Sequence, residues 1–199
     1  MRTKFKYFTI PNALPKEALQ RILKEGQDLI AKASQSPNMN VAATNVGNYD
    51  PKTTGQRDTT VVWLDNDRIY DLLVPFLRRA NQEAGWNFVL HGVQAVQFAE
   101  YAKGQYNEWH SDQHWGPLDM PEHKDLWRKL SLSVTFDSIY EGGDFELDQG
   151  RGGGIITIDE LKDAGTILVF PSYLFHRVKP VTSGVRYSLV MWGIGPPFR

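Results

Sequence analysis

The sequence predicts a mainly β fold of the α+β class, a sandwich or jelly-roll core with N-terminal helices packed on one face. Two amphipathic segments come first, at residues 15–33 and 68–84. From residue 86 onward, short β-type runs alternate with Gly, Pro and Asp turns. Helices first and strands afterwards place the helices against one side of a β core, since a parallel sheet would need them interleaved.

Along the chain, residues 15–33 carry Leu19, Ile22, Leu23, Leu29 and Ile30 near one stripe, and Pro15 suits a first helical turn. Residues 34–56 are rich in Ser, Asn, Thr, Gly and Pro and read as a long loop, a candidate lid or substrate contact. TTVVWL at residues 59–64 is a strand. Asp65 or Asp67 caps the second helix, which turns Ile69, Leu72, Leu73, Phe76 and Leu77 inward. Eight β runs follow, at 87–90, 93–101, 130–136, 143–147, 155–158, 166–170, 175–178 and 187–192. No internal repeat interrupts them. Residues 1–199 read as a single domain, mainly helical over 1–85 and β over 86–199.

Composition narrows the chemistry. With 22 Lys and Arg against 23 Asp and Glu, the net charge of −1 gives no global attraction to nucleic acid or to an anionic membrane. The absence of cysteine excludes disulfides, thiolate metal sites and a cysteine nucleophile, so a metal must be held by His, Asp or Glu. The first residues are basic but lack the apolar run of a signal peptide, and no stretch has the length of a membrane span. The expectation is a soluble, cytoplasmic protein.

The segment YAKGQYNEWHSDQHW contains His110-x-Asp112. On an extended strand such a pair shares one face. VFPSYLFHRVKPV offers His176, and two histidines with one carboxylate bind one face of iron(II) and leave three positions open. Arg186 follows in SGVRYSLVMW with Ser188 two residues on. An arginine inside an apolar strand needs an anionic partner if buried, and its fork with an added hydroxyl suits one end of a dicarboxylate. His114 is either a fourth ligand, a substrate contact or another polar residue beside the site. Trp109 and Trp115 either line a substrate cleft or pack. Arg57 either meets substrate or forms a surface ion pair. His91 and His123 serve structure or face solvent. GRGGG at 150–154 lacks the lysine and helix of a phosphate loop and reads as a flexible turn.

Taken in order, Tyr101, His110-x-Asp112, EGGDFEL, PSYLFHRVKPVTSG and Arg186-x-Ser188 resemble the 2-oxoglutarate- and iron(II)-dependent oxygenases, and within them the prolyl 4-hydroxylase-like group with the bacterial PKHD-type hydroxylases. The resemblance runs from about Arg57 to Trp192 and also takes in GQRDTTVVWL, RRANQEAGWNF and VQAVQFAEY. It implies a double-stranded β-helix, a jelly-roll variant. It also implies iron(II) on His110, Asp112 and His176, and 2-oxoglutarate held at its C5 carboxylate by Arg186, with Tyr101 and Ser188 lining that pocket. Oxygen is the implied co-substrate and ascorbate a reductant. Thr135 stands where some relatives place a tyrosine against the same carboxylate. Related halogenases lack the aspartate, so Asp112 favours hydroxylation.

The activity so implied is hydroxylation of a C–H bond, with a prolyl residue of a peptide or protein as the expected substrate and succinate and carbon dioxide as products. Relatives that repair alkylated bases carry a second arginine where this chain has Trp192, which argues against nucleic acid. Two other readings stay open: a non-catalytic cupin-like metal-binding module, which would not need Arg186 in the pocket, and a hydroxylase of a free amino acid or other small molecule. The sequence leaves the oligomeric state open.

Overall fold

A computed structural model describes residues 5–35, 57–113, 116–118, 123–136 and 139–198. Helices form where apolar residues recur on one stripe. Helix α1 (Lys16–Gln35) buries Ala18, Leu19, Ile22, Gly26 and Ala33, and α2 (Asp67–Glu83) buries Ile69, Leu73, Leu77 and Ala80. Neither Asp65 nor Asp67 caps α2. Asn66 does, its side-chain oxygen accepting the Ile69 N–H at 3.1 Å. Asp65 is drawn aside by the Tyr70 hydroxyl at 2.7 Å, and Asp67 sits in the first turn, where its charge faces the positive end of the helix dipole.

Fourteen strands follow one another among the described residues. They are β1 (Phe8–Ile10), β2 (Arg57–Asp58), β3 (Thr60–Leu64), β4 (Gly92–Val93), β5 (Val96–Tyr101), β6 (Tyr106–His110) and β7 (Trp127–Thr135), then β8 (Tyr140–Gly142), β9 (Phe145–Asp148), β10 (Ile155–Thr157), β11 (Ile167–Pro171), β12 (His176–Val178), β13 (Val181–Gly184) and β14 (Arg186–Gly195). A seven-stranded sheet runs β1-β11-β7-β14-β5-β3 with β4 paired to β14, a five-stranded sheet runs β10-β9-β12-β6-β2, and β13 pairs with β8. The two large sheets form the jelly roll, and the helices cover one face of the larger one.

Strand alternation builds both layers. On β7, Leu130, Leu132 and Val134 join Leu19, Ile22, Leu73 and Leu77 in the core beneath the helices. Ser131, Ser133 and Thr135 are buried on the opposite side. On β5, Phe98 points to the helices, while Ala99 and Tyr101 join Phe145, Leu147, Phe170 and Val178 in a second core.

At Gly26 an added Cβ would stand 2.5 Å from the fully buried Phe98 ring. Gly26→Ala is therefore expected to destabilise by about 1–3 kcal/mol through overpacking, although alanine is the better helix former. A denaturant midpoint equal to or above that of the unchanged protein contradicts this close packing.

The strands also depart from the sequence expectation in three places. Residues 87–90 are not a strand. The Asn81 side chain clips Phe88 instead, accepting its N–H and donating to its carbonyl, each at 2.9 Å, and Asn87 adopts φ 51. The run 93–101 divides into β4 and β5. β1 adds to the larger sheet and β2 to the smaller, neither of them expected, beside the expected strand β3. Of the loop expected at 34–56, residues 36–56 lie outside the described residues. No helix among the described residues is long and apolar enough to cross a membrane.

Candidate active site

His110 ends β6 and His176 begins β12, directly opposite in the antiparallel register. Their ring centroids lie 4.1 Å apart. His110 Nδ1 is 2.7 Å from the Glu108 carbonyl oxygen and His176 Nδ1 is 3.0 Å from that of Leu174. A carbonyl only accepts, so each Nδ1 carries the proton and each Nε2 presents its lone pair to the site, that of His110 accepting from the Asn107 amide at 3.2 Å.

Asp112 completes the group. Its Oδ2 lies 3.5 Å from His176 Nε2 and its Oδ1 3.8 Å from His110 Nε2. One ligand atom from each of the three residues lies within 4.8 Å of the others, a spacing that can hold one metal ion. The pair does not share one strand face, however. β6 stops at His110, and the chain bends so that the Gln113 N–H donates to the Ser172 carbonyl at 2.9 Å. That bend carries Asp112 inward, where the Ser131 hydroxyl donates to its Oδ2 at 2.6 Å, backed by Ser172 Oγ at 3.0 Å from Ser131 Oγ.

Burial, and after it the facing His176 ring, push the His110 imidazolium down to about 3 against the pull of Asp112. Burial opposes ionisation of Asp112, but the two histidines in their protonated form, Arg128 and the Ser131 hydrogen bond outweigh it and hold the carboxyl below its usual range. Both groups thus rest in the ligand form, imidazole neutral and carboxylate charged.

A pH dependence follows for the metal-free protein. Between about 3 and the ordinary 6.5, the unfolded chain protonates His110 while the folded chain does not, so stability falls as pH drops through that window. Asp112, with a depressed folded value, loses its contribution in the same direction below its ordinary 3.8. Thermal denaturation without metal is expected to show a Tm that falls from about pH 7 to about pH 5; a Tm level or rising over that interval contradicts the buried neutral imidazole.

Arg186, on β14, is only 2 % exposed. Its guanidinium carbon lies 5.4 Å from the centre of the Tyr101 ring on the neighbouring strand. Nη2 donates to Thr135 Oγ1 at 3.4 Å, and Nη1 is buried without an acceptor among the described residues. Gly143, at φ 60, leaves room for the arginine stem: a Cβ there would meet Arg186 Cδ at 2.9 Å. Ser188 shares that strand face, and both open into the cavity that holds His110, Asp112, His176 and Tyr101. Arg57 lines the same cavity. Trp109 does not, and lies under the Arg177 guanidinium at 4.9 Å instead. His114 and Trp115 lie outside the described residues.

The sequence pattern of the 2OG-Fe(II) oxygenase superfamily matches residues 96–193, a span that contains all three grouped residues and Arg186. Residues 96–193 belong to that superfamily. Iron(II), 2-oxoglutarate and oxygen are accordingly its cofactor and co-substrates. The chain's curated relatives are PKHD-type hydroxylases. It is 44 % identical over 63 residues to a PKHD-type hydroxylase of Synechococcus sp. (strain CC9311), covering 32 % of this chain and 27 % of that relative. A PKHD-type hydroxylase of Aliarcobacter butzleri is 27 % identical over 92 % of this chain and 76 % of its own.

Among solved structures, a Pseudomonas putida prolyl-4-hydroxylase superposes with TM-score 0.68 at 19 % identity, over 94 % of this chain and 91 % of the other. The viral collagen prolyl hydroxylase of Paramecium Bursaria Chlorella virus-1, in its 2OG complex, gives TM-score 0.65 at 18 % identity, over 97 % of each chain. A Trichoplax adhaerens prolyl hydroxylase in complex with a hypoxia inducible factor oxygen degradation domain peptide fragment gives 0.61 at 18 %, over 94 % and 83 %. These likenesses show the shared fold.

The oxygenase's residues fit the groups the family uses. Two imidazoles and a carboxylate suit iron(II) and leave positions open, and a buried guanidinium with a free N–H suits the far carboxylate of 2-oxoglutarate. Sequence reasoning missed Gln97, Asn107, Ser133, Val190 and Trp192 on the cavity wall. The hydroxyls had a signal: LSLSVT alternates apolar and hydroxyl side chains, which on a central strand sends Ser131, Ser133 and Thr135 to one face. Asn107 had none, because it reaches the cavity through an irregularity of β6.

Proposed function

We propose that this protein is a 2-oxoglutarate-dependent hydroxylase of a prolyl residue in a peptide or protein, working in the cytoplasm. In this reading His110, Asp112 and His176 hold iron(II), and Arg186 anchors 2-oxoglutarate beside Tyr101 and Ser188. The observation that carries it is the buried, incompletely partnered Arg186 guanidinium in the same cavity as the three ligands. A cupin-like module that only stores metal has no use for such a charge, which is costly to bury without an anion. Structural neighbours that share the fold are prolyl hydroxylases, which supports the prolyl substrate.

Iron(II) and 2-oxoglutarate, when bound, supply the oxidation of the substrate C–H bond by oxygen, with succinate and carbon dioxide released. The chain's own part is placement. The Glu108 and Leu174 carbonyls fix the imidazole tautomers. Ser131 holds the Asp112 carboxylate in one orientation. Phe145 and Phe170 flank His176, with ring centroids at 5.5 and 4.7 Å, and keep water from its inner side.

Incubation with iron(II), ascorbate and 2-oxoglutarate is expected to yield succinate, increased by proline-containing peptides that gain one oxygen by mass. Peptides lacking proline that are oxidised in their place would overturn the prolyl reading and leave the oxygenase. Absence of succinate under every condition would remove both.

A further inference from the structure

We propose that the substrate carries a carboxylate close to the C–H bond to be oxidised, and that Arg57 receives it. This rests on the oxygenase reading above and adds the chemical class of what enters the site. Arg57 opens β2, at the edge of the smaller sheet, and its side chain lines the cavity of His110, Asp112 and Arg186. Its Nη2 donates to a neutral acceptor, Gln97 Oε1, at 2.9 Å. Its Nε is buried with no acceptor among the described residues. The cationic fork is thus held in place by an amide and left without a counter-charge among the described residues.

The acids that β6 and its neighbours could offer are engaged elsewhere, and the reason is structural. His176 pairs with His110, whereas Val178 pairs with Asn107, so β6 carries one extra residue opposite Arg177. This bulge brings both Asn107 and His110 to the inner face. It leaves Glu108 and Trp109 outside, where Arg177 Nη1 lies 3.9 Å from Glu108 and the Arg177 guanidinium carbon 4.9 Å from the Trp109 ring centre. Glu146 is held by Arg177 at 2.7 Å, and Asp58 accepts the Gln105 amide at 3.0 Å.

A second guanidinium strengthens the imbalance. Arg128 stacks over Trp192, which lines the cavity, at 3.8 Å, and its Nη1 lies 3.4 Å from the Asp112 carbonyl oxygen. Arg57 and Arg128 repel one another across this end of the site. With iron bound, the charge of Asp112 is taken up by the metal and Arg186 by the co-substrate. The metal ion and three arginines then face one aspartate and one dicarboxylate, which leaves a surplus of positive charge at the mouth. In a partly desolvated cavity an anionic substrate neutralises that surplus, and a guanidinium fork matches a carboxylate in both charge and shape.

The carboxylate has two possible sources: the α-carboxylate of a free or C-terminal residue, or an Asp or Glu side chain beside the target residue in a peptide. Isothermal titration of the protein loaded with nickel(II) and 2-oxoglutarate, which gives no turnover, separates them. One arm compares N-acetylproline with N-acetylprolinamide. The other compares the capped dipeptides acetyl-Pro-Glu-amide and acetyl-Pro-Gln-amide. In at least one arm the acid is expected to bind about tenfold or more tightly than its neutral partner, and Arg57→Gln is expected to abolish the difference.

Acid and neutral probes binding alike in both arms, no binding by either acid, or a preference that survives Arg57→Gln would each overturn the proposal. If Arg57→Gln fails to bind 2-oxoglutarate, Arg57→Lys decides instead: a reduced preference supports the fork, an undiminished one overturns it. An acid preference without any oxygen gain on prolyl probes in the iron-loaded protein removes the prolyl reading and leaves this one standing.

Discussion

Exchange of His176 for alanine is expected to lower metal affinity and succinate release by at least about a hundredfold, since losing groups that merely support a ligand already costs 10–100-fold. His176 is 5 % exposed and wedged between Phe145 and Phe170, so a methyl group cannot draw another donor into its place. Asp112 would lose the nearer of its two imidazoles, at 3.5 Å, and keep only His110 at 3.8 Å. Titration of manganese(II) into the metal-free variant measures the affinity directly. Affinity within about threefold of the unchanged protein would place the metal elsewhere.

The second large effect separates function from stability. Arg186→Met is expected to weaken 2-oxoglutarate binding by on the order of a hundredfold, about 3 kcal/mol, because the substrate carboxylate loses a buried charged partner. Metal affinity should stay near its original value, which distinguishes this variant from His176→Ala. The metal-free protein should keep its Tm or gain. Arg186 leaves Nη1 without an acceptor among the described residues and makes one long hydrogen bond to Thr135, so an apolar side chain of similar length removes an uncompensated buried charge. Methionine can follow the path of the arginine stem past Gly143. A 2-oxoglutarate affinity unchanged by the substitution contradicts this role, and a large fall in Tm contradicts the uncompensated charge.

Much of this site was legible in the sequence because its residues sit at short, fixed offsets. Arg186 and Ser188 share a strand face as a period of two requires, and both open into the cavity. The helices followed from apolar stripes that the fold buries against the larger sheet. What escaped depends on contacts between distant segments. Asp112 reaches the histidines through a bend pinned by Ser172, some sixty residues away in the chain. Asn107 enters the cavity only because β6 bulges opposite Arg177. The very short strands β1 and β2 are formed by pairing with β11 and β6, and three or two residues carry too little periodicity to announce a strand. Residues 87–90 look β-like in composition, yet the Asn81 amide takes up the backbone groups of Phe88.

The proposed function requires that His110, Asp112, His176 and Arg186 form one site, in which metal and 2-oxoglutarate are held together. Calorimetric titration of 2-oxoglutarate into the protein with and without manganese(II) tests it most directly. Strong binding is expected only when metal is present, abolished by His176→Ala through loss of the metal and weakened by Arg186→Met with the metal still in place. Equal binding with and without metal, or binding indifferent to both substitutions, would contradict it.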